Sequence, residues 1–314
     1  MTQMTTATAR VIDPILTNVA RGYQNSAMVG GALFPAVPVQ QRGGKIISFG
    51  KESFMAYATG RAPGTNTKRI QIGYSSGSYA LEDHSLEGLV PFELQEEAQA
   101  VPGINLASGA IRTVQDIIAL RLERAQATLA TTAGSYASSN KTTLSGTSQW
   151  SDLTTGASDP IKDIEAAKEA IRASVGQRPN VVVMGAAVAA SLRQHPKIID
   201  RIKYTGRDVP TEALLASLFG VSQVLVGDAI QATDAGVFSD VWGKFVIVAY
   251  TAPGTIADLG RPSYGYTYRL GGYPIVEQPY QDRNAKSWIY PVTDEVSPVI
   301  AGAEAGYLIS AAVA

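Results

Sequence analysis

Residues 163–204 read DIEAAKEAIRASVGQRPNVVVMGAAVAASLRQHPKIIDRIKY, and this stretch decides the fold class. Asp159–Pro160 just ahead of it is a helix start, because an aspartate can cap the free N–H groups and proline suits the first turn. Ile161, Ile164, Ile171 and Val175 then recur at helical spacing, and Gly176 supplies the stop. Val181 to Met184 is a short β-branched run of the kind buried in a sheet interior, and Ala186 to Gln194 returns to helix before Pro196. A helix, a buried strand and a second helix within 35 residues or so predict a mixed core in which helices cover a sheet.

Outward toward the C-terminus the alternation continues. Pro210 to Phe219 is predicted as a helix closed by Gly220, followed by a strand over Gln223 to Val226. Phe245 to Tyr250, Tyr266 to Leu270, Ser287 to Val292 and Gly306 to Ala312 are further strands. Outward toward the N-terminus, Ile111, Val114, Ile118, Leu122, Ala125 and Leu129 form one stripe, predicting a long helix over Asn105 to Thr131. From Ala125 to Ser151 the one charged residue is Lys141 among many Ser, Thr, Gly and Ala, which reads as a flexible connection after the helix. Lys45 to Phe49 and Arg69 to Tyr74 are predicted strands flanking a long hairpin loop. The first 43 residues, broken by repeated Gly and Pro, are an extended apolar arm with a short helix over Val11 to Tyr23.

The chain has 314 residues, room for about two domains and a sizeable core. Its 45% apolar content belongs to folded proteins, and its 17% charged content is low enough to suggest a surface covered by other copies. Lys plus Arg number 26 against 27 Asp plus Glu, and no basic tract occurs, so tight nucleic-acid binding has no electrostatic footprint. Cysteine is absent, which removes disulfides and thiolate chemistry. The opening MTQMTTATAR lacks signal-peptide character, and the longest apolar run, Val181 to Ala190, is half a membrane span, so a soluble protein made and used in a cytoplasm is expected.

Chemical motifs are weak. Gly73-Tyr74-Ser75-Ser76-Gly77 matches the nucleophile-elbow pattern of serine hydrolases literally, but the flanks read as an exposed hairpin arm and a poor helix. His84 beside Glu82, Asp83 and Glu87 reads as a solvated acidic segment in preference to a metal or acid–base site. His195 is expected at a helix end. Glu93, Glu96 and Glu97 read as an exposed face. Tyr264, Tyr266, Tyr268, Tyr273, Tyr280, Trp288 and Tyr290 read as cross-strand pairs on a sheet in preference to a base-stacking platform. No catalytic residue, cofactor or metal is assigned.

The order of elements, together with the stretches LFPAVPVQQRGGKIISFGKESF, YALEDHSLEGLVPFELQEEA and the opening quotation, resembles the tailed-bacteriophage major capsid family with the Hong Kong 97 fold. The resemblance implies an α+β fold with an N-terminal arm (1–43), an extended β-hairpin loop (44–80), a peripheral domain (81–157 and 262–295) including a spine helix (103–132), and an axial domain (158–261 and 296–314). It implies a non-enzymatic subunit that self-assembles through pentamers and hexamers into an icosahedral head around double-stranded DNA. Its partners would be copies of itself, portal and scaffold proteins, and DNA held weakly without sequence specificity. It would reside in the virion, assembled in the bacterial cytoplasm, with no membrane. An encapsulin-type compartment has the same fold, and a hydrolase around Ser75 is the rival of another class. The assembly contacts expected are Leu33, Phe34 and Val37 in the arm and Phe54, Met55 and Tyr57 in the hairpin, each buried on a neighbouring subunit. Arg201, Lys203, Arg207 and Asp208 are expected in an axial loop around each ring centre.

Overall fold

The computed structural model describes residues 28–46, 60, 77–99, 105–203, 210–232, 236–252 and 263–314. In chain order the elements are α1 (Gly30–Leu33), β1 (Ala36–Val39), β2 (Gly43–Lys45), β3 (Ser78–Ala80), β4 (Glu82–Pro91), α2 (Phe92–Gln99) and α3 (Leu106–Thr131). There follow β5 (Lys141–Thr143), α4 (Pro160–Val175), β6 (Val181–Gly185), α5 (Ala186–Gln194), α6 (Pro196–Ile202), α7 (Glu212–Phe219) and β7 (Gln223–Gly227). The remainder is largely strand: β8 (Ile230–Ala232), β9 (Phe238–Asp240), β10 (Val246–Ala249), β11 (Gly265–Leu270), β12 (Ile275–Val276), β13 (Tyr280–Asp282), β14 (Ser287–Ile300) and β15 (Gly306–Ser310).

The predicted mixed core is a five-stranded sheet of order β5-β15-β10-β6-β7. β6 and β10 are buried at every position, which suits their runs of valine and isoleucine and places them centrally. Against this sheet lies α4, whose cap Asp159 accepts a hydrogen bond from Lys162 N at 3.1 Å and whose stop, Gly176, takes φ 68°. Its stripe Ile161, Ile164, Ile171 and Val175 is buried as the spacing requires, each fully buried isoleucine contributing about 1.5–3 kcal/mol. α5 spans the predicted residues, and α7 is capped by Thr211 and closed by Gly220 at φ 64°.

A second, six-stranded sheet is organised on β14, which pairs with β11, β12, β13 and β4, while β1 runs parallel to β11. The N-terminal half of α3 packs on it, with Ile111 and Val114 against Val90, Val276, Tyr290 and Val292. Asn105 caps α3 by accepting from Ser108 N at 3.0 Å.

Four expectations change. β14 continues past the predicted end at Val292, because Asp294 and Glu295, charges that would ordinarily end a buried strand, are paired with Arg269 at 3.0 Å and Arg42 at 2.7 Å. β4 is a strand along its full length against β14; Glu82, Asp83 and Glu87 are exposed as expected of a charged edge, while Gly88 and Val90 are buried. The segment after α3 is not a loose connection. Trp150 is fully buried, donates from Nε1 to Asp163 at 2.8 Å, and its backbone N donates to Ala312 O at 2.7 Å. β5 joins β15 in the main sheet. Lastly, residues 196–202, expected in a loop, form α6. The predicted hairpin strands lie outside the described residues except at 45–46, and β2 and β3 pair antiparallel at the hairpin base. The helix expected over 11–23 also lies outside them.

Candidate functional site

The arm, the hairpin and the axial segment are the regions from which assembly contacts were expected, and each meets the body of the subunit differently. The arm enters at Val29, and its anchor is a carboxylate in the middle of α3. Glu123 is 2% exposed, yet accepts from Val29 N at 2.9 Å, Gly30 N at 3.0 Å and Trp242 Nε1 at 2.7 Å. Burial pushes its pKa above the ordinary carboxylate value, and the three donors oppose that shift. Gly30 has to be glycine, since a Cβ there would collide with the side chains of Gln126 and Glu123. Beyond the anchor, Thr267 Oγ1 donates to Phe34 O at 3.0 Å and accepts from Gln126 Nε2 at 2.9 Å. The Phe34 ring packs on Tyr264 at 5.4 Å.

Within the single subunit the arm residues already have a surface to lie on. Leu33 and Phe34 are fully buried in the main core of their own chain, and Val37 is buried with Ile46, Tyr266 and Tyr268. Their apolar surface is consumed at home because β1 is a strand of the subunit's own sheet. The α3 stripe missed the anchor for a related reason. Past Ile118 the buried face turns to Glu123, Gln126, Ala127 and Ala130, leaving Leu122, Ala125 and Leu129 half-buried. A glutamate between Leu122 and Arg124 reads as solvent-facing, and nothing local marks Trp242 as its partner.

At the hairpin base, Tyr79 stacks on Tyr268 with centroids 4.3 Å apart. Arg42 reaches both Glu295 oxygens, at 2.7 and 2.8 Å, a bidentate pair that raises the guanidinium pKa further. Phe54, Met55 and Tyr57 lie outside the described residues. So do Arg207 and Asp208, while Arg201 and Lys203 are exposed at the end of α6 beside Ile199, itself 42% exposed.

The chemical motifs resolve as follows. Ser75 lies outside the described residues, and His195 is buried with its Nε2 3.2 Å from Ser158 Oγ. His84 sits in β4 opposite Asp294 and contacts Arg121. Tyr264, Tyr266, Tyr268 and Tyr290 are buried, matching the sheet reading. Among the described residues no group of His, Cys, Asp and Glu could hold a metal ion, and no helix is long and apolar enough to cross a membrane.

His195 gives a pH prediction. Burial, then the nearby Lys197 ammonium, lower its pKa below the ordinary 6.5, against the opposing pull of Asp159. Its folded pKa is below the unfolded one, so its contribution is complete above about pH 6.5 and is lost as pH falls through the folded value. Thermal unfolding of wild type should therefore lose more between pH 7 and 5 than that of His195→Gln. Parallel pH profiles would rule out this role.

Sequence and structure comparisons agree with one another. The profile of the family described as Phage major capsid protein E matches residues 110–256. The major capsid protein of Burkholderia phage BcepMu is 40% identical over 305 residues, covering 96% of both chains. A phage-related protein from Bordetella bronchiseptica RB50, solved by crystallography, is 45% identical and superposes with TM-score 0.82 over 96% of this chain and 98% of that one. At the level of fold alone, the capsid of cyanophage P-SCSP1u (10% identity, TM-score 0.59, 92% of this chain and 89% of that one) is similar. So is the SrpI encapsulin of Synechococcus elongatus PCC 7942 (11% identity, TM-score 0.53, 95% and 94%).

Proposed function

Since the chain belongs to the phage major capsid protein family and forms capsid shells with copies of itself, we propose that it is the coat subunit of a tailed-phage head, closing into an icosahedral shell around double-stranded DNA. The observation that carries this reading is the 40% identity to a major capsid protein along 96% of both chains. The relatives are structural proteins, and the arrangement of this chain fits the same role. Polar side chains hold its elements together: Glu123 on the arm, Arg42–Glu295 on the hairpin base, Asp163 on Trp150. With 26 basic against 27 acidic residues, DNA would be held weakly and without sequence specificity. Portal and scaffold proteins are the further partners, and assembly takes place in the bacterial cytoplasm.

We propose a division into domains built around the two sheets. The six-stranded sheet with α3 supports a peripheral domain (81–157 and 262–295), and the five-stranded sheet with α4, α5 and α7 supports an axial domain (158–261 and 296–314). β1, β5 and the end of β14 (296–300) cross these bounds; β1 and β5 tie the arm and the α3 connection into the two bodies, and β14 joins the bodies to each other. The axial segment from Arg201 to Asp208 would line the ring centre, where balanced charge avoids repulsion between identical subunits.

Sedimentation at tens of micromolar, with and without a candidate scaffold, tests the proposal; capsomers, tubes or shells are the expected species. A stable monomer under all these conditions would overturn it. Particles isolated from cells would separate a phage head, which holds DNA, from an encapsulin-type compartment, which would hold a cargo enzyme.

A further inference from the structure

The β8–β9 ribbon belongs to neither large sheet. It is a two-stranded hairpin in which Ile230 pairs with Asp240, Gln231 with Ser239 and Ala232 with Phe238. Side chains alternate across the ribbon and paired residues lie on the same side, so Ile230, Ala232, Phe238 and Asp240 share one face, and Gln231 and Ser239 share the other. The second face is polar, Gln231 Nε2 donating to Ser239 Oγ at 3.3 Å. The first is open and apolar except for the exposed Asp240 at one end: Ile230 is 52% and Phe238 69% exposed. An isolated two-stranded hairpin is marginal in water, so an apolar face of this kind is a cost unless something covers it.

The ribbon is nonetheless rigidly aimed. Its strands return to the body at Val241, whose N donates to Ala229 O at 2.9 Å, and at Trp242, fully buried and hydrogen-bonded to Glu123. A Cβ on Gly227 would strike the Trp242 indole, and one on Gly185 would strike the Gly243 carbonyl. A fixed root presents the apolar face in one orientation, which favours docking because little order has to be gained on contact.

Charge narrows the occupant. Every charged residue from 227 to 243 is an aspartate: 228, 234 and 240. Two such ribbons facing each other would repel, which disfavours a symmetric ribbon-to-ribbon contact. An apolar patch with a net basic rim is the complement, and the chain carries one on α6, where exposed Ile199 lies among Lys197, Arg201 and Lys203, with Asp200 the one acid between them.

We propose that the apolar face of the β8–β9 ribbon docks on a second copy of this chain, in a heterologous contact with the α6 surface. A contact between two different patches of one chain repeats around an axis and closes a ring, which a shell subunit requires. The inference rests on the shell-forming reading, so wild-type assembly is the reference in every arm of the test.

The chain has no cysteine, so Phe238→Cys places a single thiol on the face. Its maleimide labelling is expected to slow at least tenfold in assembled particles relative to free subunits. Phe238→Asp, a change at an exposed position, should raise the subunit concentration needed for assembly at least tenfold with unchanged circular dichroism and thermal unfolding; Phe238→Tyr should assemble as wild type does. Equal labelling in both states, or unaltered assembly of Phe238→Asp, overturns the proposal while leaving the shell-forming reading intact. A thiol already protected in free subunits, and exposed once residues 1–27 are removed, would assign the face to the chain's own arm and overturn it too. Failure of wild type to assemble would count against the reading beneath it.

Discussion

Glu123→Ala is expected to destabilise the subunit by about 3–5 kcal/mol, because it strands three buried donors at once. Val29 N, Gly30 N and Trp242 Nε1 all converge on this carboxylate, and Val29, Gly30, Trp242 and Glu123 are all buried. Glu123→Gln should lose less, since one acceptor oxygen remains. The pH dependence has a defined sign. The folded pKa is raised by burial, so the contribution of this group is fullest below the unfolded value of about 4.5 and declines as pH rises through the folded value. Wild type should therefore gain on Glu123→Gln as pH is lowered from 7 toward 5. Thermal unfolding of the two variants and wild type across that range is the measurement. If Glu123→Ala unfolds within a degree of wild type, the anchor carries no stability and the arm is held by other contacts.

The second large effect is expected at a glycine. Gly185 ends β6 and opens α5, and an added methyl group would occupy the space of the Gly243 carbonyl oxygen. Backbone cannot rotate aside as a side chain can, so Gly185→Ala should cost about 3 kcal/mol or more and reduce soluble yield. Gly109→Ala is the internal control: it lies in the first turn of α3 with nothing within 4 Å, and should gain up to about 1 kcal/mol from helix propensity. Chemical denaturation of both variants is the check. Equal stability for the two would mean that the β6–α5 junction relaxes without penalty.

What was legible in the sequence was local. Asp159–Pro160 and Gly176 delimit α4 by capping chemistry that acts within a few residues, and the valines of β6 declare burial on both faces. What escaped was set by partners far along the chain. β14 runs on past Val292 because Arg42 and Arg269 neutralise Glu295 and Asp294, and neither arginine is near in sequence to both. Glu123 looks like a solvent-facing helix residue until Val29 and Trp242 are brought to it. Leu33, Phe34 and Val37 were recognised as needing a surface, but apolarity alone cannot say whose; β11 of the same chain answers that. The ribbon went unread because its three-residue strands are too short to show alternation above chance. Its exposed apolar face became visible only from the register.

The place of β15 in the main sheet bears on how the subunit is made. That strand lies between β5 and β10, so the sheet stays open along its middle until residues 306–310 have left the ribosome. Domains that close early can fold during synthesis, but this one has to wait for residues 306–310. Trp150 waits as well, since its backbone partner is Ala312. A product cut short before residue 306 would lack a central strand and leave β10 with an unpaired edge. Translation errors of this kind would be removed by the cell's proteases before they could enter a lattice in which one defective member is shared by all its neighbours.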